Sequence, residues 1–225
     1  FDRIRQAYIR ERMKTPAGQR ECEWKYKNEI LFVPYHSDPV IVKSVETVRC
    51  RSNMVWNFKA AASEKLKRQI FTVLEYILKN YEISRLREYK LTGLQLFYEF
   101  CIREQITDIQ LLELEQETAF QDYLKQKVEK EQRRKRLKSI VETARKVIFI
   151  ETDETRWDAT IWYLERFQFA DSRKNPARSI KTISFIEILH KENRHLCQRY
   201  MKYCLGITHL AVKNIAAEYT ILKNF

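Results

Sequence analysis

The sequence predicts a mainly α-helical protein with a small extended or β-hairpin segment near residues 30–58. Its 225 residues include only 3 glycines and 4 prolines, so few residues would interrupt helices. Charged residues make up 32% of the chain, above the usual quarter, as expected for long solvated helical faces. After residue 61, apolar side chains recur mostly every three to four residues, which is the period of an amphipathic helix.

The first 60 residues predict an N-terminal arm with short extended segments. Residues 1–30 alternate charges densely, which predicts a solvated helix and a loop, or else a basic arm on phosphates. Three short runs, 31–33, 40–42 and 45–48, are rich in aromatic, aliphatic and β-branched residues and are separated by Pro34 and Pro39, which predicts extended segments that include a small hairpin. The aromatic cluster at 54–58 is typical of a buried anchor, although grouped aromatics can also stack on bases.

Residues 61–150 predict a helical module. Ser63 is the predicted N-cap of a helix over 64–81, and a second helix runs from Ser84 to about residue 104. Thr107 and Gln110 have the spacing of a capping box, which predicts a third, short helix.

The second half of this module is more polar. The basic run within residues 117–138 predicts either a clamp on a DNA backbone or an exposed connecting helix. An apolar stripe over 137–148 then predicts the helix that closes the module.

Residues 151–184 predict a linker segment, because their polar loop is the best internal break in the chain. Residues 185–225 predict the start of a second helical domain, with two helices that meet at a tight corner. Gly206 is expected to take the positive φ of a helix C-terminus, and Thr208 to cap the second helix. The apolar stripe predicted for the first helix is Leu196, Tyr200, Met201, Tyr203 and Cys204.

The two predicted helix pairs are similar to each other. Residues 83–86, between the helices of the first pair, are similar to residues 207–210 in the second pair. An internal duplication would explain this similarity. Chance would explain it equally, because pairs of helices with an apolar seam are common.

Residues 157–225 contain a pattern that relates the chain to a known family. The residues that form it are Trp162, Phe185, Ile188, Asn193, Arg194, Leu196, the basic helix end at 200–203, the corner at 206–208 and the helix end at 221–225. This pattern resembles the core-binding domain of tyrosine recombinases of the phage-integrase type. The resemblance implies a SAM-like helical bundle, here truncated, because two further helices and a catalytic domain would follow residue 225.

The resemblance also implies a function for the intact protein. Such a recombinase clamps double-stranded DNA between its helical and catalytic parts, and a tyrosine of the catalytic part cleaves one strand. The 3′-phosphotyrosyl bond conserves the energy for rejoining, so no cofactor is expected. This chain would position the DNA without catalytic residues of its own, and self-association on DNA is a further expectation.

The candidate DNA-binding residues are basic side chains expected on the outer helix faces. A net charge of +12 and a pI near 9.5 support a polyanionic partner. The candidates are Lys65, Arg68, Arg85, Arg87 and Lys90 in the first module, and Arg194, Arg199, Lys202, His209, Lys213 and Lys223 in the second.

Several other functions lack support in the sequence. There is no glycine-rich phosphate loop, Gly-x-Ser-x-Gly or His-Glu-x-x-His motif. Five widely spaced cysteines predict reduced thiols in a cytoplasmic protein, and the spacing of Cys197 and Cys204 favours buried thiols over metal ligands. No apolar run has transmembrane length and no lipidation signal occurs, so no membrane partner is expected.

A non-catalytic helical scaffold for protein interactions is the alternative function. In that case the charges are only solvated helix faces. The two functions differ in salt dependence, because DNA affinity falls linearly with salt on logarithmic axes.

Overall fold

The computed structural model is mainly helical with a short antiparallel strand pair within residues 30–58, as the sequence predicts, and it has a second strand pair that the sequence does not predict. It describes residues 28–46, 52–152, 155–167, 169–173 and 180–223. The chain forms two compact units. The first contains the described residues up to 108 together with 120–144, and the second contains 109–119 and the residues from 145 onward. The expectations for residues 1–27 and for the loop at 174–179 lie outside the described residues.

The first unit begins with a strand pair inside the region 30–58 where the sequence predicts one, but its second strand is not the run that was expected. Strand β1 (Ile30–Phe32) pairs antiparallel with β2 (Val55–Asn57). Trp56 is buried there, so the aromatic cluster serves as an anchor. The β-branched run at 40–42 is not a strand, and this expectation is wrong. It lies in helix α1 (Pro39–Val45).

A local cap explains the helix that replaced this strand. The Asp38 side chain accepts a hydrogen bond of 2.9 Å from the Val40 amide. Pro39 follows at the first helical position, where its fixed φ suits a helix and no amide is lost. These two effects outweigh the strand preference of the β-branched residues.

The next two helices begin where the sequence predicts, the first of them at its predicted cap, Ser63. The Ser63 hydroxyl accepts from an amide in the first turn of α2 (Glu64–Asn80), and the Ser84 hydroxyl does the same for α3 (Arg85–Arg103). Their apolar faces form the core of this unit. Fully buried members include Leu66, Ile70, Leu74, Ile77, Leu94, Phe97 and Phe100.

The segment after α3 differs from its prediction. Residues Ile109–Leu111 form only a 3-10 turn, and the expected capping box is wrong. The Gln110 amide instead donates to the Arg145 carbonyl at 2.8 Å. Three helices follow, which are α4 (Leu114–Lys127), α5 (Glu131–Lys138) and α6 (Ile140–Glu151).

The second unit is built on an aromatic core. Strands β3 (Ile161–Tyr163) and β4 (Thr182–Ser184) pair antiparallel, with Trp162 opposite Ile183. The Trp162 ring meets Phe185 edge to face at 4.7 Å between centroids. The residues expected as a linker therefore contribute both strands and a fully buried tryptophan to this core.

Two helices complete the second unit, α7 (Lys191–Gly206) and α8 (Val212–Lys223). Gly206 does not have a positive φ, so that expectation is wrong. Thr208 also does not cap α8, which begins four residues later. Its hydroxyl instead donates to the Cys204 carbonyl at 2.7 Å and closes the end of α7.

Gly93 and Gly206 both lie in helices, and we expect a methyl group added at each to change the stability in opposite directions. A Cβ on Gly93 of α3 would lie 3.0 Å from the Leu137 carbonyl oxygen and 3.3 Å from Ile140 Cβ. Gly93→Ala should therefore lower the free energy of unfolding by about 1–3 kcal/mol, since backbone must move. Chemical denaturation followed by circular dichroism measures this change.

Gly206→Ala is the matched control, because nothing lies within 4 Å of its added Cβ. We expect no loss, and up to about 1 kcal/mol of gain from reduced chain entropy. Equal destabilisation by the two substitutions would contradict the close approach at Gly93.

Candidate nucleic-acid interface

Helices α7 and α8 form a hairpin whose apolar seam faces the core of the second unit. The residues buried in the seam are Cys197, Met201, Cys204, Leu205, Val212, Ile215 and Tyr219. The predicted stripe is correct for Met201 and Cys204. It is wrong for Leu196, Tyr200 and Tyr203, which are 67%, 43% and 53% exposed. The sequence has apolar residues on two sides of α7, and only one side meets the aromatic core.

An ion pair fixes the start of α7. The Arg194 guanidinium donates to both carboxylate oxygens of Glu113, at 2.6 and 2.8 Å. Its Nε also donates to the Ile188 carbonyl at 3.0 Å. Such a bidentate geometry holds the first turn of α7 in one orientation.

Arg173 fixes the other end of α7. Its guanidinium donates to the carbonyls of Leu205, Cys204 and Leu210, at 2.9, 3.2 and 3.0 Å. The last carbonyls of a helix lack partners within the helix, and a cation there also offsets the helix dipole. Sequence analysis missed this residue, because its acceptors lie 31 to 37 residues away and no local pattern marks them.

Two tyrosine hydroxyls connect the hairpin to its surroundings. Tyr219 donates to the Ser184 carbonyl of β4, and burial raises the pKa of Tyr219. Tyr200 donates to Glu218 on α8 at 2.9 Å, and this hydrogen bond chiefly raises the pKa of Tyr200 to about 12. Both hydroxyls therefore keep their protons at neutral pH.

Four of the candidate DNA-binding residues lie on the outer side of this hairpin. Arg199, Lys202, His209 and Lys213 are exposed, and none forms an ion pair with another described residue. The Lys202 ammonium lies 5.2 Å from the centre of the Trp157 ring. Lys223 is different, because it pairs with Glu187.

Arg194, Arg87 and Lys90 are buried, so their expected place on outer helix faces is wrong. Arg87 donates to the Ser44 carbonyl and hydroxyl, both at 3.1 Å. Lys90 donates to Ser139 and, at 2.6 Å, to the Thr143 hydroxyl. Burial lowers the pKa of Arg87 and of Lys90. These three cations stabilise the fold and are not available to a ligand.

The other candidates of the first unit are at its surface. Lys65 pairs with Asp108 at 2.6 Å. Arg68 and Arg85 are exposed and form no ion pair with a described residue. The structure thus separates the candidates of each unit into free, paired and buried cations.

The cysteines of the second unit provide no metal site. Cys197 and Cys204 are both buried in the seam, and burial raises the pKa of the Cys197 thiol. A protonated thiol is a poor metal ligand. Among the described residues, no group of three or more histidine, cysteine or acidic side chains could hold a metal ion.

The chain matches no protein-family model, no curated protein and no solved structure. Within the described residues, no helix combines the length and apolar composition of a membrane span.

The structural role of Arg194 predicts a loss of stability that is separate from any ligand. Arg194→Ala leaves Glu113 partly buried without its partner, since the two side chains are 8% and 31% exposed. We expect the free energy of unfolding to fall by roughly 2–3 kcal/mol, below the value for a fully buried pair. Urea denaturation measures it.

Arg199→Ala is the control, because it removes the same charge from the solvent side of α7. Its effect should stay within about 0.5 kcal/mol. If both variants unfolded at the same urea concentration, the ion pair would not be anchoring the helix.

Proposed function

We propose that this chain is the DNA-binding region of a site-specific tyrosine recombinase. In this function it positions duplex DNA, and catalytic residues outside this sequence cleave the strand.

The observation that carries the proposal is the unneutralised positive charge outside the α7–α8 hairpin. Arg199, Lys202 and Lys213 are exposed without ion pairs to described residues. Of the carboxylates around the hairpin, Glu187 is paired with Lys223, and Glu218 accepts the Tyr200 hydroxyl while keeping its negative charge. Free cations on a rigid helix pair favour a polyanion, because each phosphate contact releases counterions.

The rigidity of this hairpin supports a positioning role. Arg194 fixes the start of α7, and Arg173 fixes its end. Side chains on a helix held at both ends keep a constant spacing. Contacts to phosphates set the register of a protein on a duplex, whereas contacts to base edges carry the sequence information.

The recombinase assignment is supported by where the residues of the resemblance lie. Trp162 and Phe185 are fully buried and in contact, and Arg194 holds the ion pair of α7. These residues therefore have structural roles that a family pattern would preserve. The recombinase function is therefore an analogy that rests on the sequence pattern and on these structural roles.

One observation favours the alternative, a protein-interaction scaffold. Leu196, Tyr200, Tyr203 and Ile207 are exposed at spacings of four, three and four residues along α7. This is the spacing of a helix seam in a coiled coil. A partner helix could bury this stripe.

Binding of labelled duplex DNA tests the proposal. We expect affinity to fall with rising salt, with a slope on logarithmic axes of about −0.9 for each phosphate contact. Replacing both Arg199 and Lys213 by alanine should weaken binding and reduce the slope by roughly 1 per lost contact. Fluorescence anisotropy across a salt series measures both quantities.

The matched control replaces Lys146 and Lys223 by alanine. It changes the formal charge equally, but both lysines are already paired, with Glu165 and Glu187. Binding by this variant should stay within about twofold, since exposed pairs contribute little free charge. No binding of the wild-type protein to DNA at low salt would favour the scaffold.

A further inference from the structure

The first unit contains a basic groove between the start of α3 and the helix α5. Its volume is about 660 Å³. We call it the α3–α5 groove. The main lining residues are Arg85, Tyr89, Lys130, Glu131, Arg133 and Arg136. Arg85 was a candidate from the sequence, and Arg133 and Arg136 belong to the basic run for which the sequence predicts either a DNA clamp or a connecting helix.

The charges of this groove are unbalanced. Arg85, Lys130, Arg133 and Arg136 form no ion pair with any described residue. Of the two carboxylates in the lining, Glu131 is paired with Lys135 at 2.8 Å, and the other is Glu88. A concave wall with an excess of one sign of charge focuses the field and attracts a ligand of opposite sign.

Buried contacts fix one wall of the groove to the other. Lys90 on α3 reaches the Ser139 hydroxyl at the end of α5, at 3.0 Å. Gly93 lets the Leu137 carbonyl oxygen lie 3.0 Å from the place of a Cβ, which is tighter than most Cβ contacts. Because the walls are already packed together, ligand binding loses no free energy to assembling the site.

The turn before α5 is held as well. The Arg134 guanidinium donates to the Val128 and Glu129 carbonyls, at 2.9 and 2.6 Å. Its neighbours Arg133 and Lys130 thus extend from an ordered turn.

The chemistry of the lining favours a nucleic acid over an acidic peptide. The Arg136 guanidinium stacks 5.1 Å from the centre of the Tyr89 ring. A guanidinium group can donate two parallel hydrogen bonds to the oxygens of one phosphate. Flat aromatic and guanidinium groups are also common in sites that bind a nucleic-acid strand, because bases stack on them. Among the described lining residues, no aliphatic side chain is present that an apolar peptide residue could cover.

We propose that the α3–α5 groove binds the phosphodiester backbone of a nucleic acid, with Arg85, Arg133 and Arg136 contacting phosphates. The identity of the polyanion rests on the proposed function, to which this inference adds a second contact region. Contacts to phosphates do not depend on base sequence. The groove therefore contributes affinity and register.

The first experiment compares two double variants in anisotropy titrations with labelled duplex DNA. Replacing Arg85 and Arg133 by alanine should weaken binding by about tenfold at low salt and reduce the salt slope by roughly 2. Two duplexes of unrelated sequence should show the same factor. The control replaces Lys125 and Lys138, which carry the same charge outside the groove lining, and should change binding by less than about threefold.

A second variant works in the opposite direction and removes no cation. Glu88→Gln deletes a carboxylate from the lining, so it should tighten DNA binding. A gain in affinity cannot come from unfolding. Circular dichroism confirms that all variants keep the wild-type helix content.

The outcomes separate this inference from the proposed function. If the groove variant binds duplex DNA as tightly as wild type while the Arg199 and Lys213 variant is weakened, the groove inference is wrong and the proposed function stands. If wild-type protein binds poly-glutamate but no duplex DNA, and the groove variant loses that binding, the groove takes an acidic peptide and both proposals are wrong. Uniform loss of DNA binding in the groove and control variants would also overturn the inference.

Discussion

A buried guanidinium sets the constraint on which the second unit depends. Arg145 is only 1% exposed. Its Nη2 donates to the Leu112 carbonyl at 2.8 Å, and its Nη1 lies 2.8 Å from a Glu117 oxygen, an ion pair without ideal hydrogen-bond alignment. Burial lowers the pKa of Arg145, and Glu117 opposes that shift. An arginine stays charged in proteins, so its burial requires these partners and fixes residues 109–119 against α6.

The same short segment positions the candidate interface. Its Gln110 and Leu112 carbonyls accept hydrogen bonds from the Thr160 hydroxyl, which precedes β3, both at 3.2 Å. Its Glu113 carboxylate holds Arg194 of α7. One stretch of chain therefore provides acceptors to α6, the strand pair and the outer hairpin. The orientation of the cations on α7 follows from a polar network in the interior, in addition to the apolar seam.

Local signals allowed part of this fold to be predicted. Ser63 and Ser84 each mark a helix start because a cap needs only residues within one turn. The buried cations could not be predicted in this way. Arg194 and its partner Glu113 are 81 residues apart, and Lys90 and Ser139 are 49 apart. A basic residue in an amphipathic pattern is expected on the solvent side, and only the fold reveals the distant acceptor that allows its burial.

The two basic regions differ in what surrounds their charge. On α7, Arg199 and Lys202 share the exposed surface with Leu196 and Tyr203, so a partner that covers the whole face must bury apolar area as well as neutralise charge. Duplex DNA offers phosphates, whereas a protein helix offers an apolar stripe. The described lining of the α3–α5 groove has no aliphatic side chain and has an excess of cations. A net charge of +12 alone selects neither site. What distinguishes the groove is its group of arginines, which form no ion pair with a carboxylate of the described chain. A ligand of the groove therefore has to supply phosphates only, whereas a ligand of the α7 surface also has to cover apolar side chains.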